Sequence, residues 1–152
     1  MNWNRVASSI AGLLMVIAAG AASGHEGDGL GKVDFPNSCS PAVQEKLLRA
    51  IKMLHSFFYS AAEREFQDVA AEDNSCVIAA WGFASILMAN PLAGAGASAK
   101  DAPRAQGAID KGRQMVVKTQ RERDYLEAVA AYYEDFANRP ERARQVSRAK
   151  AY

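Results

Sequence analysis

Apolar residues in this chain recur at three- and four-residue steps, in blocks separated by Gly, Pro and Asn, which is the period of helices packed on one face. Ser40-Pro41 is a helix start, with serine as N-cap and proline where its missing N–H costs nothing. From there Val43, Leu47, Ala50, Ile51, Leu54 and Phe58 draw one stripe, predicting a first helix over about 41–57. Ala62, Phe66, Val69 and Ala70 mark a second from about Ser60 to Asp73-Asn74, and those two residues with Ser75 offer caps for a third. That third block, 76–88, is apolar almost all round (Val77, Ile78, Ala79, Ala80, Trp81, Phe83, Ile86, Leu87), so it must be buried between others.

Asn90-Pro91 ends the third helix, and the small-residue stretch through Gly94, Gly96 and Ser98 to Asp101 reads as the longest loop, and a mobile one. A fourth helix is expected from Pro103 to about Val116. Thr119-Gln120-Arg121-Glu122 then has the form of a capping box, in which the threonine oxygen serves the Glu122 backbone and the glutamate side chain reaches back. The helix it opens has Leu126, Val129, Tyr133 and Phe136 as its seam, flanked by Tyr125 and Tyr132. Asn138-Arg139-Pro140 breaks it, and a basic helix over 141–152 follows. No segment shows the two-residue alternation of a strand.

Six helices joined mostly by short turns predict an all-α fold of antiparallel hairpins. Ala62-x-x-x-Phe66, Ala108-x-x-x-Gly112 and Ala80-Trp81 with Phe83-Ala84 are fragments of the 34-residue tetratricopeptide pattern. Ala62 and Ala108 stand 46 residues apart, one such period plus an insertion that fits the 91–101 loop.

Further motifs carry a resemblance. They are Lys32-Val33-Asp34-Phe35-Pro36-Asn37-Ser38-Cys39-Ser40-Pro41, Leu54-His55-Ser56-Phe57, Ala62-Glu63-Arg64-Glu65-Phe66, Asp73-Asn74-Ser75-Cys76, Ala80-Trp81-Gly82, Asn90-Pro91 and Arg121-Glu122-Arg123-Asp124-Tyr125. Through them the chain, from about Gly31 onward, resembles the N-terminal part of a family of exported bacterial tetratricopeptide-repeat proteins. It departs from that family at Asn74, where proline is usual, and in lacking the further repeats. The resemblance implies a short tetratricopeptide-like α-solenoid, truncated within its third hairpin, with no enzymatic activity.

The first residues change the expected compartment. One charge, Arg5, precedes an apolar run from Ile10 to Ala22 that ends in small residues, the form of a secretory signal peptide. The run is shorter than the roughly 20 residues a membrane span needs, so no stable anchor is expected after cleavage, which fits after either Ala21 or Ser23. The organisation read from the chain is thus a signal peptide over 1–23, a lead-in over 24–39 and a helical-repeat domain over 40–152, in a periplasmic or secreted protein. Without 1–23 the chain keeps 17 basic residues against 17 acidic ones. A neutral balance without a basic block offers nothing to nucleic-acid phosphates, so no such partner is expected.

Two cysteines, Cys39 and Cys76, stand 37 residues apart, close to one repeat, and each lies at the start of a hairpin's first helix. Equivalent corners of neighbouring repeats are spatial neighbours, so a disulfide is expected between them in an exported chain. The rival use, a redox pair or a metal site with His55, lacks the C-x-x-C spacing. His55 would also lie about 21 Å along the first helix from Pro41, too far for a shared coordination sphere. His25 is isolated.

Trp81, Phe83, Tyr125, Tyr132, Tyr133 and Phe136 follow helix seams and are read as core. Glu63, Glu65, Glu122, Asp124 and Glu127 fall beside Arg64, Arg121 and Arg123 and are read as a solvated ion-pair surface. The basic tail with Arg139, Arg142, Arg144, Arg148 and Lys150 lacks the apolar face of a membrane-surface helix. No nucleophile motif or phosphate-binding glycine loop occurs, so neither catalytic residues nor a cofactor are expected. The function expected is a scaffold binding a protein or peptide partner, with a second copy of the chain as one way to cover the last helix. The alternative is a thiol-redox or metal-binding extracytoplasmic protein using Cys39 and Cys76.

Overall fold

A computed structural model describes residues 29–94 and 96–151. The expected signal peptide over 1–23 and the first residues of the lead-in lie outside the described residues. Among the described residues there are six α-helices and no strand: α1 (Gln44–His55), α2 (Tyr59–Glu72), α3 (Val77–Leu87), α4 (Ala102–Gln114), α5 (Gln120–Tyr133) and α6 (Glu141–Ala151).

The chain enters α1 through a 3-10 turn, Pro41–Val43, where the Ser40 hydroxyl accepts the Ala42 N–H at 3.3 Å. The α1 stripe buries Val43, Leu47, Ala50 and Ile51 as its spacing predicts, and Met53 with them. Phe58, the last member expected, is instead 58 % exposed, because the chain turns at Ser56 before reaching it.

In α3 every residue except Phe83 is buried. The all-round apolar sequence has its reason in packing, since α3 lies against α1, α2, α4 and α5, while α5 in turn carries α6. The helices therefore form sequential adjacent pairs, with α1–α3 and α3–α5 also in contact. Two glycines permit this closeness. A Cβ on Gly82 would overlap the ring of buried Phe66 on α2, and one on Gly112 would lie 3.0 Å from Leu126 and 3.1 Å from Ala80. Gly82→Ala is expected to destabilise the fold by about 2 kcal/mol by overpacking, measured by urea denaturation.

One corner recurs three times. Phe57, Ala89 and Asp135, each second after the end of α1, α3 and α5, adopt the left-handed conformation at φ 63°, 57° and 46°. Glycine usually fills this place because a Cβ there costs about 1 kcal/mol or more. Ala89→Gly is accordingly expected to raise stability by about 0.5–1 kcal/mol, the relieved strain exceeding glycine's extra entropy loss. A lower urea midpoint for this variant would contradict that balance.

The 91–101 connection is not the loose loop that its composition suggests. It opens with a 3-10 turn, Pro91–Ala93, capped by the Asn90 side chain. Gly96 and Ala97 are buried, and the Ala97 N–H donates to the Tyr132 hydroxyl at 3.0 Å. That hydroxyl donates to Glu141 Oε2 at 2.5 Å, which ties the connection to both α5 and α6.

Part of the basic tail turns inward. The Arg144 guanidinium is buried over the Phe136 ring, 4.1 Å from its centroid. It pairs with Glu141 at 2.9 Å and donates to the carbonyls of Phe136 and Arg139. Arg139 donates in turn to the Ala131 and Glu134 carbonyls, which the end of α5 leaves open, and to the Ala143 carbonyl of α6.

Candidate functional site

The cysteines meet at the corner where the lead-in enters α1 and α3 begins. Cys39 and Cys76 form a disulfide with S–S 2.05 Å and Cα–Cα 4.6 Å. Asp73 joins them: its carboxylate accepts the Ser40 N–H at 2.6 Å, the Ser75 N–H at 3.0 Å and the Ser75 hydroxyl at 2.7 Å. Asp73 is read from sequence only as a cap candidate, yet Cys76 occupies the N-cap of α3 and Asp73 braces the turn before it. Burial pushes the Asp73 carboxyl up, but these hydrogen bonds and the Lys118 charge outweigh it and hold the group below its ordinary 3.8. Ligand-type atoms of Cys39, Asp73 and Cys76 lie within 4.8 Å of one another, and His55 is not among them. Joined as a disulfide, the two sulfurs offer no thiolate to a metal.

A second anchor of the lead-in is Glu122, which the sequence places on a solvated face. In the structure it is 1 % exposed. The expected threonine half of the capping box is present, with Thr119 Oγ1 accepting the Glu122 N–H at 3.2 Å. The glutamate does not reach back to the Thr119 backbone. Its oxygens accept the Ser38 N–H at 2.6 Å, the Ser38 hydroxyl at 2.7 and 2.9 Å and the Thr119 hydroxyl at 2.8 Å. Burial raises its pKa, and the hydrogen bonds from Ser38 and Thr119, with the Lys118 charge, overcome that and keep it below 4.5.

These two anchors lay residues 31–38, which have no regular secondary structure, across α1, α3 and α5 as a strap. Asn37 exchanges two amide hydrogen bonds with Gln44 of α1, at 2.9 and 2.8 Å. The Arg121 guanidinium donates to the Pro36 carbonyl, and Lys118 to that of Ser38 at 3.0 Å. Leu30, Val33 and Phe35 pack on the core.

Phe35 lies in an aromatic notch. Its ring stacks on Trp81 with centroids 5.8 Å apart and planes 14° apart, and meets Tyr125 at 5.5 Å. Arg121 covers the same pair of rings, 4.8 Å from Phe35 and 5.1 Å from Tyr125. Beside the notch a half-open groove of about 460 Å³ continues between Leu54, Phe57, Trp81, Met88 and Pro91, bordered by His55 and Arg148. The aromatic residues thus divide. Tyr132 and Tyr133 are core, with the Tyr133 hydroxyl donating to the Ala84 carbonyl at 2.9 Å and burial pushing its pKa up. Trp81 is buried in the core, as read from sequence, and Tyr125 is partly buried against it; both also border the groove, and among the described residues the Trp81 indole N–H meets no hydrogen-bond acceptor.

No protein-family model, no curated protein and no solved structure matches this chain. What the structure establishes is an all-helical protein of six helices among the described residues, with a disulfide at its strap. No helix among them is long and apolar enough to cross a membrane. The disulfide is consistent with an oxidising, extracytoplasmic location.

Proposed function

We propose that this chain is an exported helical-repeat scaffold, stacked in the tetratricopeptide manner, that binds a protein or peptide partner along the face of α1, α3 and α5 and has no catalytic activity of its own. The observation that carries this reading is the strap. A non-helical segment crosses those three helices, placing an aromatic side chain between Trp81 and Tyr125 and giving its backbone carbonyls to Arg121 and Lys118. Peptides held by helical-repeat surfaces are held in this way, by side-chain notches and backbone hydrogen bonds. The groove beside the strap offers the same surface to a second segment. The three left-handed corners at Phe57, Ala89 and Asp135 support the repeat, since the same turn closes each first helix.

The test is a screen of a random peptide library against the purified chain, followed by NMR mapping of the peptides recovered. Amide shifts centred on Trp81, Met88 and Ala89 are expected. Recovery of no binder, or shifts confined to α4 and the outer face of α2, would overturn the reading. Thiol titration under non-reducing conditions separates the scaffold from a redox or metal protein using Cys39 and Cys76. The scaffold shows no free thiol until reduced, whereas the rival shows two reactive ones.

A further inference from the structure

We infer that the partner segment recognised by this groove is acidic as well as apolar: a peptide that buries a bulky apolar side chain against Trp81 and Met88 and sets an adjacent Asp or Glu side chain on Arg148. This rests on the peptide-binding reading above and names the chemistry of its partner.

The charges of the groove argue for it. Among the described residues, Arg148 and His55 are the basic side chains that line it, and no Asp or Glu does. Arg148 donates its Nε to Gln145 Oε1 at 3.2 Å and, among the described residues, meets no carboxylate. One turn earlier the contrast is complete, because Arg144 is buried and paired with Glu141. A guanidinium without a carboxylate partner, at the edge of an apolar groove, takes a carboxylate by charge-assisted hydrogen bonding and disfavours an incoming Lys or Arg. Arg121, over the Phe35 ring, extends the same sign of charge along the strap side.

The apolar half of the preference follows from the walls. Leu54, Trp81, Met88 and Pro91 form them, and Phe57, which borders the groove, is 56 % exposed and held in a left-handed conformation. A large apolar side chain left exposed at the rim of a groove is placed to cover a ligand. Phe35 shows that an aromatic ring is accepted on this face of Trp81. About 460 Å³ is room for one more such side chain and the backbone that carries it.

The experiment is calorimetric titration of the full, oxidised chain at low salt with an acetylated, amidated hexapeptide of sequence Gly-Leu-Phe-Glu-Glu-Gly. Its counterparts carry Gln-Gln or Lys-Lys in place of Glu-Glu, and a fourth peptide is the Gln form with a free C-terminal carboxylate. The Glu peptide is expected to bind about tenfold more tightly than the Gln peptide, an advantage that shrinks with added salt. Arg148→Gln is expected to erase the difference, and Arg148→Glu to turn the preference toward the Lys peptide. Equal affinity for the Glu and Gln peptides, or a Glu preference that survives Arg148→Gln, overturns the inference while leaving peptide binding intact. Binding only of the peptide with the free end overturns it in favour of chain-terminus recognition. Binding of none of the four, with no binder from the library screen, overturns the peptide-binding reading itself.

Discussion

Replacing both cysteines, Cys39→Ser with Cys76→Ser, is expected to lower the unfolding free energy by about 3–4 kcal/mol, read from the urea midpoint. The bridge closes a loop that contains all of α1 and α2, and the unfolded chain loses the freedom of that loop only while the bond is present. Cys39 and Cys76 are both buried, so the serine hydroxyls add a smaller desolvation cost to the lost cross-link. Ser40 on Asp73 and Ser38 on Glu122 still hold the strap in the folded state, so the variant is expected to fold and to unfold earlier. A midpoint within experimental error of the parent would show that the bridge adds nothing to these hydrogen bonds. A loss of this size is a large share of the stability of a small helical protein.

Glu122→Ala is expected to cost about 3 kcal/mol, because it leaves a cavity in place of a buried carboxylate and strands the half-buried Ser38 N–H and hydroxyl above it. Glu122→Gln, which keeps the volume and one acceptor, is expected to cost less than half of that. The same carboxylate carries a pH signature. Glu122 and Asp73 are both held below their ordinary values of 4.5 and 3.8 in the folded chain. Their contribution is therefore complete above the unfolded values and drains away as the pH falls through the folded ones. Urea midpoints are expected to be level from neutrality to about pH 5 and to drop below about pH 4. In Glu122→Ala the acid drop is expected to be shallower; an unchanged acid limb would mean that Glu122 is not the anchor its geometry implies.

The helices were legible in the sequence because each is decided by neighbours a few residues away: the Val43 to Ile51 stripe, the Ser40-Pro41 start and the Thr119 cap. The position of α3 at the centre was legible too, since a helix without a polar face has to be surrounded. The Cys39–Cys76 bridge followed from spacing and position together. What escaped depends on partners far along the chain. Glu122 stands in a run of charges, Arg121-Glu122-Arg123-Asp124, that reads as surface, and its partner Ser38 lies 84 residues earlier. Arg144 sits in a basic run, and nothing local marks it as the arginine that turns inward onto Phe136. Phe35 lies in a Gly-rich lead-in without periodicity, so only the fold reveals that its ring meets Trp81 and Tyr125. The corner at Ala89 lacks the glycine that usually announces it, and the 91–101 connection hides its order in a buried N–H bound to Tyr132.

The covalent staple at Cys39 has one more effect. Should Phe35 leave the Trp81 ring, it stays on a short leash, and a segment so tethered returns at an effective concentration of about millimolar. Any outside chain that displaced it would contend with a rival that dilution cannot remove. Complexes formed at that notch would on this account be brief, whereas those in the open groove beside it would not bear the same competition.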